Sequence, residues 1–257
     1  MLIVVAATGC GRLGFDPEGL DEVMPDASDP ISMISGQVAY WAFDDLAPGG
    51  TTDLVADHRA TCSGGECPTR GQGASGTGGV FDGVNDCLVV PSLNTFAATE
   101  FTLSAWVQVS APTSGPLVVH ENYSGCPSPE MALTNSSLGL VQLNEASSHN
   151  EVWSTTTMTP AWHHVVARWD GIAQQLFVDG RCCTATPAMA TTASSTAEFT
   201  LGCYPATGRM FGGGLDEIRA YDRALDATEI GALYTAISGE PAPVFTGCSE
   251  SCALTPP

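Results

Sequence analysis

The chain contains no lysine: its eight basic residues are all arginines, set against 28 acidic ones, for a formal charge of −20 over 257 residues. A polyanion without a basic cluster repels phosphate backbones, which sets aside DNA and RNA as partners. Long apolar runs are also missing. The stretch 2–8 (LIVVAAT) falls far short of the ~18 residues needed to cross a bilayer, so no spanning helix is expected. Charged residues make up only 14% and aromatics 7%. What is plentiful is turn formers, 28 glycines and 17 prolines, alongside 44% apolar residues, as expected of an all-β protein. The length suits one large sandwich or two small domains.

Ala7-Thr8-Gly9-Cys10 resembles a bacterial lipobox, in which a small residue precedes the cysteine that receives diacylglycerol. Residues 1–10 are therefore expected to act as a lipoprotein-type signal, with Cys10 as the lipidation site. The missing basic n-region and the short apolar stretch imply a true start further upstream. Lipidation would hold the protein to a membrane surface without spanning it, as an outer-membrane or cell-surface lipoprotein; without it the protein is secreted. Residues 11–35 carry six carboxylates against Arg12, with three prolines and no apolar period. They are expected to form an extended, solvated tether.

Setting Cys10 aside leaves nine cysteines, an odd number. In an exported chain these should form disulfides. The best local pairs are Cys62 with Cys67 and Cys248 with Cys252, across short glycine- or serine-rich loops; Cys87, Cys126, Cys182, Cys183 and Cys203 cannot be paired by inspection. Zinc needs a second compact half-site that is absent. Cys182 and Cys183, neighbours on a strand, should point to opposite faces, one buried and one paired.

From Gly36 onward, short runs of period two recur between turn clusters, the pattern of a sandwich. Strands are expected at 38–43, 87–91, 102–109, 117–122, 130–134, 138–144, 151–157, 163–169, 174–178, 182–186, 199–203 and 214–221. Asp179-Gly180 is a hairpin turn signal. One helix is expected from Asp226, with Glu229 completing a capping box and Ile230, Leu233, Tyr234 and Ile237 on its buried stripe. Trp41 and Phe43 should seat between two sheets. His163 and His164 face opposite sides of a strand and cannot converge on one metal ion, so hydrogen-bonded packing is expected of them.

Six motifs in order resemble the laminin-G-like jelly roll of the concanavalin A-like lectin/glucanase superfamily: Tyr40-Trp41-Ala42-Phe43-Asp44-Asp45, Val80-Phe81-Asp82-Gly83, Phe101-Thr102-Leu103-Ser104-Ala105-Trp106, Trp162-His163-His164-Val165, Leu176-Phe177-Val178-Asp179-Gly180 and Leu215-Asp216-Glu217-Ile218-Arg219. The resemblance implies a β-sandwich of two antiparallel sheets with one short C-terminal helix. The domain is placed over 36–240, followed by a Pro- and Cys-containing tail over 241–257.

The resemblance also implies a structural calcium ion, and by motif Asp44 and Asp216 are the positions that carry over. Two carboxylates with backbone carbonyls and water satisfy calcium's need for oxygen. Asp45, Asp57 and Asp82 are weaker candidates, and Asp82-Gly83 reads as a turn. The superfamily includes glucanases, but the Glu-x-Asp-x-x-Glu strand pattern has no counterpart here. Glu121, Glu130, Glu145 and Glu151 are isolated, Asp216 and Glu217 are adjacent, and no Gly-x-Ser-x-Gly elbow exists. No catalytic residue is assigned and the chain is expected not to be an enzyme. What remains is recognition of a glycan or surface protein on one sheet face and its rim, for which His120, Asn122, Tyr123, Gln142, Asn144, Trp153 and Tyr204 are the candidates. The alternatives are an adhesive module with no saccharide pocket and a divergent glycoside hydrolase.

Overall fold

The structure, a computed structural model, describes residues 34–91, 100–109, 114–120, 129–143, 149–187 and 198–248. Cys10, Asn122, Tyr123, Asn144 and Cys252, with most of the expected tether, lie outside them.

In chain order the strands are β1 (Gln37–Trp41), β2 (Thr69–Gln72), β3 (Thr77–Asp82), β4 (Leu88–Val90), β5 (Phe101–Gln108) and β6 (Gly115–His120). Next come β7 (Glu130–Thr134), β8 (Ser137–Leu143), β9 (His149–Thr157), β10 (Trp162–Trp169), β11 (Ala173–Val178) and β12 (Arg181–Pro187). β13 (Phe199–Leu201) and the hairpin β14 (Cys203–Tyr204) and β15 (Arg209–Met210) lead into β16 (Gly212–Tyr221) and helix α1 (Ala227–Ser238). One sheet has the order β12-β11-β10-β5-β16-β3-β2, with β1 also on β16; the other runs β4-β13-β6-β7-β8-β9. Pairing is antiparallel throughout the described residues. The fold is the expected all-β sandwich.

Alternation builds the core. Leu103, Ala105 and Val107 of β5 lie across from Ala167, Val165 and His163 of β10, and the apolar members face inward onto Leu117, Met131, Leu133 and Leu140 of the second sheet. Trp41, Phe43, Trp169, Phe199 and Phe211 are fully enclosed there. The outer face of the larger sheet is covered by α1, whose Ile230 and Leu233 pack on Val166, Phe177 and Tyr221. The helix begins as its sequence dictates: Asp226 accepts from the amides of Thr228 and Glu229, and Glu229 returns a bond to the Asp226 amide. Tyr234 and Ile237 are half-buried at the margin of its stripe. Asp179 and Gly180, both at positive φ, turn β11 into β12.

Cys62–Cys67 forms as expected, and Cys87–Cys203 ties β4 to β14. The expected Cys248–Cys252 bridge is corrected: Cys248 pairs with Cys182, 66 residues away. The chain after α1 doubles back, bringing Ala242 against Gly231 and Pro243 against Gly180, so the tail meets β12 rather than itself. Cys183 is also disulfide-bonded and both vicinal cysteines are buried, which replaces the expectation of one paired and one merely buried thiol. These three bridges, with the bonded Cys183, point to folding in an oxidising, extracellular environment. Among the described residues no helix is long and apolar enough to cross a membrane.

Candidate functional site

Met131, Leu133 and Val152 face the core, so alternation turns Glu130 and Ala132 of β7, and Glu151 and Trp153 of β9, to the outer face of the six-stranded sheet. Opposite Trp153 on β8 stands Gly139. A Cβ on that glycine would lie 2.1–2.5 Å from Cε3, Cζ3 and Cδ2 of the indole, so the ring rests directly on the strand backbone. The indole Nε1 donates to Glu151 Oε2 at 3.0 Å, and the ring remains partly exposed. Flat seating on a glycine and a fixed edge give a pre-set aromatic platform. Such a surface stacks against the apolar face of a sugar without first losing rotamer freedom.

Beside it, Glu130 is 1% exposed and held by Arg209 from the β14–β15 hairpin, with nitrogen–oxygen distances of 2.6 and 3.0 Å. Burial pushes the Glu130 carboxyl up, the guanidinium pulls it down, and the charge of Glu151 adds a smaller push up. β7 and β9 are separated by β8, about 10 Å at the usual strand spacing. Two carboxylates therefore share one face, which the isolated positions in sequence do not announce. The net effect leaves the Glu130 carboxyl above its ordinary value, burial outweighing the arginine on its two oxygens.

The expected binding residues divide. Trp153 is on the platform. His120 ends β6 opposite Phe199, and Gln142 pairs with Asn150 one register step beyond Val141–Glu151. Tyr204, in β14 opposite Arg209, is 1% exposed. Sequence reasoning missed Glu130, Arg209 and Gly139. A glycine in the middle of the apolar Leu138-Gly139-Leu140 was the available signal, since strand glycines mark close approach.

Asp44, just after β1, and Asp216, in β16, meet at one turn. Asp44 Oδ1 accepts from the Thr77 amide at 2.8 Å and Asp216 Oδ2 from the Ser75 amide at 3.1 Å. A Cβ on Gly76 would stand 2.3 Å from Asp44 Oδ1, and one on Gly73 2.4 Å from Asp216 Oδ2, so both carboxylates fill space that only glycine leaves open. Asp216 is completely buried; burial first, and the Glu217 charge, push it up to about 7, against the lowering effect of its amide donors. Asp216 Oδ1 also accepts from the Glu217 amide at 2.9 Å, so both of its oxygens meet backbone donors; two carboxylates brought to one turn are the oxygen donors a hard cation such as calcium would use there. Among the described residues no group of three or more His, Cys, Asp and Glu side chains could hold a metal. Glu217 is otherwise engaged: at a β-bulge, with φ of 53°, it binds Arg219 and accepts from Tyr40. Asp45 bonds Thr51 and Thr52, and Asp82 accepts from the amides of Val84 and Asn85 in the expected turn.

The two histidines differ in how far their ring nitrogens are met, and His164 is bonded through Nε2 alone. His163 lies between Asp179 and Thr159, at 2.8 and 2.9 Å, and His164 bonds Ser104 at 2.9 Å.

No curated protein matches the sequence. Among solved structures, the binding domain of Paraclostridial Mosquitocidal Protein 1 superposes with a TM-score of 0.61 at 13% identity, over 78% of this chain and 52% of that one. Domain 4 of AbnA, a GH43 extracellular arabinanase from Geobacillus stearothermophilus, in complex with arabinotriose, gives 0.59 at 18% identity, over 76% and 96%. Trypanosoma rangeli sialidase gives 0.59 at 17% identity, over 78% and 33%. The chain thus spans about half of the mosquitocidal domain and a third of the sialidase, and at these identities the likeness is one of fold. The sequence itself matches the Laminin_G_3 family over residues 82–231, more than half its length: the chain belongs to the concanavalin A-like lectin/glucanases superfamily.

Proposed function

We propose that the protein is a non-catalytic recognition module that binds a neutral glycan on the outer face of its six-stranded sheet. The observation that carries this is the Trp153 indole, laid flat on Gly139 and fixed at its edge by Glu151. The charge of −20 disfavours sulfated or sialylated chains. The AbnA domain of the same fold, in complex with arabinotriose, supports a saccharide ligand. Arg209, anchored by the buried Glu130 and itself exposed, borders the adjoining face and offers a polar contact there.

A glycan array followed by calorimetry tests this. Wild type should bind a neutral oligosaccharide without releasing reducing ends, and Trp153→Ala should weaken binding by one to three orders of magnitude, the worth of one stacked ring. Undiminished binding by Trp153→Ala refutes the platform, turnover refutes the non-catalytic role, and silence across the array favours an adhesive module.

Two further parts belong to this reading. Asp44 and Asp216, with carbonyls of the 73–77 turn, would hold a calcium ion that fixes the junction of β1 and β16. Lipidated Cys10 would fasten the domain to a membrane surface, so that Cys10→Ser moves the protein to the soluble fraction; retention on membranes overturns that anchor.

A further inference from the structure

At the β4 edge of the same sheet the described residues line a half-open cleft of about 370 Å³, within the ~300–1,000 Å³ range of small-molecule sites. Its walls are preformed. The Cys62–Cys67 and Cys87–Cys203 disulfides both border it, Thr61 and Val89 exchange backbone bonds at 2.8 Å, and the Cys87 amide donates to Glu66 O at 2.9 Å.

The lining leans toward acceptors. The Thr61 hydroxyl donates to Val89 O and Asn85 Nδ2 to Gly65 O, which commits that proton and one amide hydrogen, while the Ser63 hydroxyl can donate or accept. Glu66 adds a carboxylate and is the one charged residue of the described lining. Val89, Pro205 and Met210 supply the apolar part; no aromatic or cationic side chain lines the cleft among the described residues. A sugar ring has nothing to stack on here, and an anion has nothing to pair with. An aliphatic stem ending in a cationic donor suits both halves, its methylenes on Met210 and Val89 and its ammonium toward Glu66. The chain has no lysine and carries −20, so the natural source of that group is a basic partner.

We propose that this cleft is a docking pocket for a lysine side chain of a partner protein, separate from the Trp153 face. The test titrates the full chain, followed by NMR at residues 61–67 and 85–89, with Nα-acetyl-lysine methylamide, its norleucine counterpart and 1,5-diaminopentane. The lysine probe should shift these resonances, with the norleucine probe at least tenfold weaker. Glu66→Gln, an exposed change that leaves the melting temperature intact, should weaken the lysine probe at least threefold, and Trp153→Ala should not. Should Glu66→Gln fail to fold, raising salt from about 0.01 M to about 1 M on wild type must weaken the lysine probe instead. Equal binding of norleucine, indifference to Glu66→Gln and salt, or no shift by about 10 mM overturns the pocket's assignment. Diaminopentane binding tenfold tighter than the lysine probe overturns the protein partner in favour of a free polyamine.

Discussion

His164 offers a measurable link between packing and pH. It sits in β10 at 1% exposure, with Trp106 and Tyr234 rings 5.5 and 6.3 Å away. Nε2 meets Ser104 Oγ, while Nδ1 has no protein partner, so the imidazolium would carry an N–H with nothing to receive it. Burial therefore lowers its pKa from 6.5 to about 4; the Asp179 charge opposes this and Arg219 adds to the lowering. Between pH 6.5 and 4 the unfolded chain binds the proton that the folded chain refuses, so stability falls as pH drops through this window. At ~1.4 kcal/mol per unit over about 2.5 units, the loss approaches ~3 kcal/mol. Urea unfolding with disulfides intact, at several pH values from 4 to 7.5, measures it when wild type is compared with His164→Gln, in which an amide replaces Nε2. Carboxylate titrations common to both cancel in the difference. The wild-type advantage should shrink by about 3 kcal/mol toward pH 4. A difference constant with pH would show that the ring is protonated in the folded state, contrary to the packing described.

The disulfides differ by the loop each closes. Replacing Cys87 and Cys203 by serine, separation 116, should cost about 5 kcal/mol in the chain-entropy account, and Cys62 with Cys67, separation 5, about 2 kcal/mol; equal losses in urea unfolding would contradict that ordering. Asp226→Ala removes the acceptor for two helix amides and should lower stability by about 1 kcal/mol, a change within error being the contrary result. Calcium should raise the melting temperature of wild type and not of Asp216→Asn, and superimposable melts with calcium and EDTA refute the ion at Asp44 and Asp216.

The twelve expected strands all appear because their alternation is strong, as in Phe101-Thr102-Leu103-Ser104-Ala105, where each second residue enters the core. Thr69–Gln72 and Thr77–Asp82 escaped notice as strands because polar residues and glycines dominate them; they are held by ladder pairing with each other and with β16. The helix was legible from its capping box, a purely local signal. Long-range features were not. Cys248 has a near neighbour in sequence at Cys252, yet the sheet delivers Cys182, and no spacing rule could show that. Trp153 was recognisable as an exposed aromatic on a polar strand, but its seating on Gly139 depends on strand register, which is fixed by the whole sheet. The burial of Tyr204 was hidden for the same reason: how far a residue after a strand is covered depends on how the hairpin folds.

The use of arginine ties the two proposed sites together. Arg209 is spent on Glu130, Arg219 on Glu217 and Arg223 on Glu229, while Arg70 and Arg168 bond the carbonyls of Asp44 and Leu225. These five arginines are thus tied to acceptors of the chain itself, and with 28 acidic residues against eight basic ones the field around the protein is negative. Such a field does little to a neutral sugar stacked on Trp153 but draws an ammonium toward Glu66. Raising ionic strength from about 0.01 to about 1 M shortens the Debye length from ~30 to ~3 Å. It should leave glycan affinity within twofold and weaken the lysine probe several-fold. Equal salt dependence at both sites would mean that the surface field, rather than the lining of each site, selects the ligands.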